Sequence, residues 1–95
     1  MMLSYSEARM PTISEFFGIA IRMYYNDHNP PHIHVYYGEF EAIIKISSFE
    51  VLSGKLPRRA LLLTIDWILS NQEALLEDWE LAEKHLPLKP IPPLE

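Results

Sequence analysis

Two runs that alternate with period two, Phe17–Tyr25 (FGIAIRMYY) and His32–Tyr37 (HIHVYY), flank the segment Asn26-Asp27-His28-Asn29-Pro30-Pro31. Alternation of this kind, rich in aromatic and β-branched residues, marks strands. The connecting segment concentrates turn formers, and its two successive prolines have no backbone N–H to give a ladder, so the first strand must stop there. The chain turns back on itself, and antiparallel pairing follows. Parity places Ile19, Ile21 and Met23 on the core face of the first strand, with Gly18, Ala20, Arg22 and Tyr24 opposite. On the second, Ile33, Val35 and Tyr37 face the core while His32, His34 and Tyr36 point the other way.

After the Gly38-Glu39 turn, Phe40–Ser47 reads as a third strand, with Phe40, Ala42, Ile44 and Ile46 as its apolar set and Glu41 and Lys45 facing water. Ser48–Ser53 has room for a short fourth. From Pro57, which suits a first helical turn, the period lengthens. Ala60, Leu61, Leu62, Leu63, Ile65, Trp67, Ile68 and Leu69 are apolar nearly all round, as in a helix buried on more than one side. Ser70-Asn71-Gln72-Glu73 matches a capping box, predicting a second helix over Gln72–His85. Its apolar stripe is Leu75, Leu76, Trp79 and Ala82. Glu73, Glu77, Glu80 and Glu83 form the outer surface, with Glu80 and Lys84 paired one turn apart. Trp67 and Trp79 are expected as core anchors.

The predicted class is therefore α+β: a three- to four-stranded antiparallel meander, then two helices and an extended proline-rich tail. Residues 1–9 read as a flexible leader ahead of a further methionine, Met10, residues 10–86 as the domain, and residues 87–95 as the tail, packed on the domain or offered to a partner. Cysteine is absent, which excludes disulfides, zinc ribbons and thiol nucleophiles. The first residues carry no signal-peptide pattern, and no apolar run approaches a membrane span, so a cytoplasmic location is expected. A net charge of -5, from 13 acidic and 8 basic residues, repels nucleic acid at long range. A local cationic patch escapes that average, because screening confines surface fields to about 8–10 Å.

Chemistry concentrates on the non-core face of the first two strands. Cross-strand neighbours lie about 4.5–5.5 Å apart, so Arg22, Tyr24, His32 and His34, with Tyr36, can share one patch. Arginine holds phosphate bidentately, and histidine and tyrosine move protons or stack on bases, so these four are the candidate catalytic residues for phosphodiester work without a metal or other cofactor. Three other readings remain open. The face can be a second packing layer. His32-x-His34, helped by Asp27 or His28, can bind a metal if further ligands join. Asp27 and His28 can form a carboxylate–histidine pair, although turn aspartates commonly cap their own backbone. Arg58 and Arg59 at a helix start oppose the macrodipole, a weak sign of an acidic partner or phosphate.

The stretch MPTISEFFGIAIRMYYNDHNPPHIHVYYG, then LSGKLPRRALLL, EALLEDWELA and PLKPIPPL, resembles the bacterial family of domain of unknown function 4160. The likeness covers Met10 to Leu94, and the family motif maps onto Asp27, His28, Pro30, Pro31, His32 and His34, with Ile33 where phenylalanine is frequent. The resemblance implies a context: such proteins are commonly encoded beside a small protein of domain of unknown function 2442, in a toxin–antitoxin-like arrangement. It implies a small cognate protein partner. RNA is a further partner class, with a homodimer as an additional expectation and no membrane role. The reading from another class is a non-catalytic binding module or antitoxin, using its sheet edge, acidic helix or tail. A metallohydrolase is the third.

Overall fold

The computed structural model describes residues 10–95; the expected leader at residues 1–9 lies outside them. Five strands form one antiparallel sheet, β1 (Thr12–Phe16), β2 (Ile19–Arg22), β3 (His32–Tyr37), β4 (Phe40–Lys45) and β5 (Val51–Gly54), ordered as they run in the chain. Two helices follow, α1 (Arg58–Ser70) and α2 (Gln72–Glu83). The class is the α+β one predicted, with five strands in place of three to four.

The additional strand is β1, and its alternation is broken. A bulge between Thr12 and Ser14 leaves both Ile13 and Ser14 buried, so TISEF shows no clean period of two. The β1–β2 turn consumes part of the long run expected from Phe17. Phe17 and Gly18 both adopt positive φ, 49° and 81°, the geometry of a two-residue hairpin turn. Phe17 stands exposed at its tip. Gly54 also has positive φ, and a Cβ there would lie 2.1 Å from the Glu41 carbonyl oxygen, so β4 and β5 approach too closely for any side chain.

The predicted core faces of β2 and β3 hold for Ile19, Ile21, Met23, Ile33 and Val35, all buried, as do Ala42, Ile44 and Ile46. At the sheet margin Tyr37 is half-buried and Phe40 is exposed, because both flank the Gly38 turn. The helices cover this face with Ala60, Trp67, Ile68, Leu75, Trp79 and Ala82. Leu76 points outward, contrary to its expected place in the stripe. Both tryptophans are core residues, and the Trp67 ring packs on Phe16 at 5.4 Å between centroids.

The capping box does not form. The Asn71 amide donates back to the Trp67 carbonyl, the Ser70 hydroxyl turns to Asp66, and no side chain caps α2. Asn71 N–H reaches the Ile68 carbonyl and Leu75 N–H the Asn71 carbonyl, so one helix closes and the next opens at Asn71, whose φ of -132° is not helical. The second helix ends before His85, which takes a φ of 58° while Leu86 N–H reaches the Leu81 carbonyl and His85 N–H the Ala82 carbonyl. This is a Schellman closure, followed by Pro87. Lys84 is not paired with Glu80; Lys89 instead meets Glu77 at 3.2 Å.

Residues beyond the helix dock on the domain. Ile91 is buried, its N–H bonds the Ile13 carbonyl, Trp67 Nε1–H donates to the Pro92 carbonyl, and Lys89 N–H donates to Asp78 Oδ1. This segment bridges β1 to both helices.

Candidate functional site

Backbone register decides which side chains meet. Arg22 lies directly opposite His34 on β3, and on the other flank of β3 His32 lies opposite Lys45 and His34 opposite Ile43. A central strand bearing two imidazoles is thus bordered by a cation on each neighbour. Parity assigns Lys45 to the water-facing side of its strand but not to this patch. Only the β3–β4 register, which alternation does not fix, brings it beside His32.

The prolines of the β2–β3 connection lack donors but supply acceptors. The Asn29–Pro30 bond is cis. His32 Nδ1–H donates to the Pro30 carbonyl at 2.7 Å, and Ile46 N–H donates to the Pro31 carbonyl at 3.1 Å. A carbonyl only accepts, so the first of these bonds assigns the hydrogen to Nδ1 and turns His32 Nε2 toward the loop.

There it meets Asp27. The Asp27 Oδ2 oxygen lies 2.8 Å from His32 Nε2 and 2.9 Å from His34 Nε2, so one carboxylate oxygen receives both rings. Oδ1 accepts the His28 N–H, the local capping expected of a turn aspartate. Asp27 therefore serves the turn with one oxygen and the histidines with the other. His28 itself is exposed and stands apart from the cluster. Burial would raise the Asp27 carboxyl, but the His34 hydrogen bond, the charge of His32 and the His28 N–H outweigh it and hold the group below its ordinary value.

Packing fixes the rings. His34 stacks on Tyr24 at 4.2 Å and 19°, and the Tyr24 hydroxyl shares a hydrogen bond of 3.1 Å with that of Tyr36. Arg22 places its guanidinium 5.2 Å from the Tyr36 ring centroid. Burial, then the Tyr24 hydroxyl and Glu41, push the Tyr36 phenol above its ordinary range, so it stays protonated and serves as no base. His32 differs from its partner: it packs against Trp79 of the core at 5.2 Å. It is the point where the outer patch touches the helical layer.

The structure thus gathers all four sequence candidates, Arg22, Tyr24, His32 and His34, on one patch, and joins the two histidines through Asp27. Both histidines are 7% exposed, while the Asp27 side chain retains 20%, so the patch opens to solvent at the carboxylate. The ring nitrogens have little freedom. Two converge on Asp27, one is bonded to Pro30, and His34 Nδ1 is buried without a partner among the described residues. Proton transfer at this site must run through Nε2, beside the carboxylate.

A second surface lies on α1. Leu62 and Leu69, two turns apart on one side of the helix, are 50% and 56% exposed, and Arg58, Arg59, Leu62, Leu63 and Asp66 line a shallow depression. Among the described residues no helix is long and apolar enough to cross a membrane.

A family model described as Domain of unknown function (DUF4160) matches residues 18–80, which include every residue of the cluster. No curated protein and no solved structure gives a match.

Proposed function

The chain belongs to the family described as Domain of unknown function (DUF4160), and we propose that it is the RNA-directed component of a toxin–antitoxin-like pair, acting on phosphodiesters through its outer sheet face. What supports this is one observation: Arg22 and Lys45 flank two imidazoles that share the Asp27 carboxylate. In this reading Arg22 clamps the scissile phosphate, with Lys45 adding charge. Asp27 orients the imidazoles through Oδ2, and His32 and His34 exchange protons at Nε2 with the attacking hydroxyl and the leaving oxygen. Tyr24 holds the His34 ring by stacking. The net negative charge of the chain then limits RNA binding to this patch.

The test is expression of the chain alone, with growth and messenger RNA followed in time, and the same with Arg22→Ala and His34→Ala. Growth arrest with RNA loss that both variants relieve is the expected result. Normal growth with intact RNA from folded wild-type protein removes the reading.

The exposed Leu62 and Leu69 favour a second role, a protein-binding module or antitoxin that takes a small cognate protein on α1. Here co-purification with the neighbouring gene product survives His34→Ala and is lost with Leu62→Lys plus Leu69→Lys. The docked segment around Ile91 is unsuited to this task, because releasing it would open the core.

A further inference from the structure

Asp27, His32 and His34 aim three donor atoms at one place. Their nearest ligand atoms all lie within 4.8 Å of one another, and both histidine nitrogens are within 2.9 Å of Asp27 Oδ2. Two features separate this group from an ordinary polar cluster. First, His32 Nδ1–H is committed to the Pro30 carbonyl, so a neutral His32 turns a bare lone pair on Nε2 toward a carboxylate oxygen 2.8 Å away. Two acceptors at that distance repel, and a cation must lie between them: a proton on Nε2 or a metal ion. Second, His34 Nδ1 is buried and unpartnered among the described residues, so Nε2 is the one nitrogen His34 offers, and it faces the same oxygen.

We infer that Asp27, His32 Nε2 and His34 Nε2 form a binding site for one divalent transition-metal ion of the zinc class, with a further coordination position open to solvent. Two imidazoles and one carboxylate suit Zn²⁺, Co²⁺ or Fe²⁺ rather than Mg²⁺ or Ca²⁺, which prefer oxygen ligands. Three protein ligands are the number found where a position is left for water or substrate. Metal–ligand bonds of about 2.0–2.1 Å set tetrahedral edges of about 3.3 Å, so the two distances from Asp27 Oδ2 need lengthen by only roughly half an ångström, while the two Nε2 atoms already lie within 4.8 Å of one another. The surroundings are those of a supported site: the Pro30 carbonyl holds one ring, Tyr24 stacks on the other, and Trp79 backs His32. A hydrogen on either Nε2 must leave when the metal binds there, so proton release accompanies uptake at a protonated ring. A metal held on both Nε2 atoms takes the place of the proton exchange proposed above, so metal uptake and metal-free phosphodiester chemistry compete for the same nitrogens, and each has its own readout.

The experiment uses the full chain without a histidine tag, stripped with chelator and titrated with Zn²⁺ by calorimetry and with Co²⁺ by visible absorption. One ion per chain, the d–d bands of a low-coordinate Co²⁺ site, and ¹⁵N shifts at Nε2 of His32 and His34 but not at His28 or His85 are expected. His28→Gln plus His85→Gln should leave the affinity unchanged. His34→Gln should weaken it by more than the roughly 10–100-fold lost when an outer-shell partner is removed. The inference is overturned by no uptake at millimolar Zn²⁺, which would assign the cation between His32 and Asp27 to a proton, or by shifts confined to His28 or His85. Should His34→Gln fail to fold, the ¹⁵N measurement on wild-type protein decides alone. Zinc binding with RNA left intact would remove the phosphodiester reading only; RNA cleavage without metal uptake would remove this site only.

Discussion

Ile91→Ala tests whether the segment after α2 belongs to the core or is a ligand held in reserve. Ile91 is 5% exposed, lies in the same apolar cluster as Trp67 and Ile13, and is pinned by its N–H to the Ile13 carbonyl. The substitution removes three carbons, at about 0.8 kcal/mol for each buried methylene. A cavity term would add to that. Because the segment lies outside any helix or strand it can settle into part of the gap, which keeps the total near the low end of the usual range, about 2.5 kcal/mol. Urea unfolding followed by tryptophan fluorescence reads this directly, since Trp67 donates to the Pro92 carbonyl next in the chain. With a slope of about 1–2 kcal/mol per molar urea, the midpoint should fall by roughly 1.3–2.5 M at unchanged slope. A fall below about 0.5 kcal/mol would show that the segment is not packed as described, and would return it to the pool of surfaces a partner could take.

Trp67→Phe, which leaves the Pro92 carbonyl without its donor, should cost about 1–2 kcal/mol, and combined with Ile91→Ala the losses should sum to less than their separate values, as checked by a double-mutant cycle in urea. Asp78 is buried with Oδ2 unpartnered among the described residues, and burial, aided by Glu77, raises its carboxyl above the ordinary value despite the Lys89 N–H. A raised carboxyl stabilises the fold below its unfolded-state value, and that contribution is lost as pH rises through the folded one. Wild-type stability relative to Asp78→Asn should therefore climb as pH falls from neutral to about 4, and paired urea midpoints across that window check the sign. Gly54→Ala, which puts a Cβ against the Glu41 carbonyl at positive φ, should cost roughly 3 kcal/mol or more, visible as loss of a cooperative circular-dichroism melt.

Much of this architecture is legible from residue order alone, for reasons specific to each element. Ile19-x-Ile21-x-Met23 and Ile33-x-Val35 alternate without interruption, and parity then fixes their faces because a strand's side-chain period is two. The same parity aims Arg22, Tyr24 and His34 at one patch. The break at Pro57 is legible because proline fixes φ and suits a first turn. β1 was hidden by its bulge, and Phe17-Gly18 read as strand because nothing in a dipeptide announces two positive φ values when only one residue is glycine. The capping box failed because Asn71 had a better acceptor within its own helix, the Trp67 carbonyl. Asp27 was visible as a turn former five and seven residues before the histidines. Its use of two oxygens for two tasks depends on how the loop folds back, and residue spacing carries no such information.

The energetics of the β2–β3 connection bear on why the cluster exists. Burying a carboxylate with two imidazoles costs desolvation, and ion pairs of this kind can often be replaced by apolar side chains with no loss of stability. The rest of this fold shows that apolar packing was available: Ile43 sits opposite His34 and Trp79 lies against His32. Neither neighbour needs a titratable partner. Asp78 shows how the fold treats a buried carboxylate with a structural duty, giving one oxygen to a backbone N–H and leaving its pKa raised. Asp27 has the opposite electrostatics: the His34 hydrogen bond, the charge of His32 and the His28 N–H hold its carboxyl down against the pull of burial. A group that keeps its charge at the solvent-reaching edge of a buried cluster is arranged to meet something positive or to move a proton. The two aspartates thus differ in kind: Asp78, buried, closes the fold, and Asp27, half-buried, keeps a charged edge beside two rings.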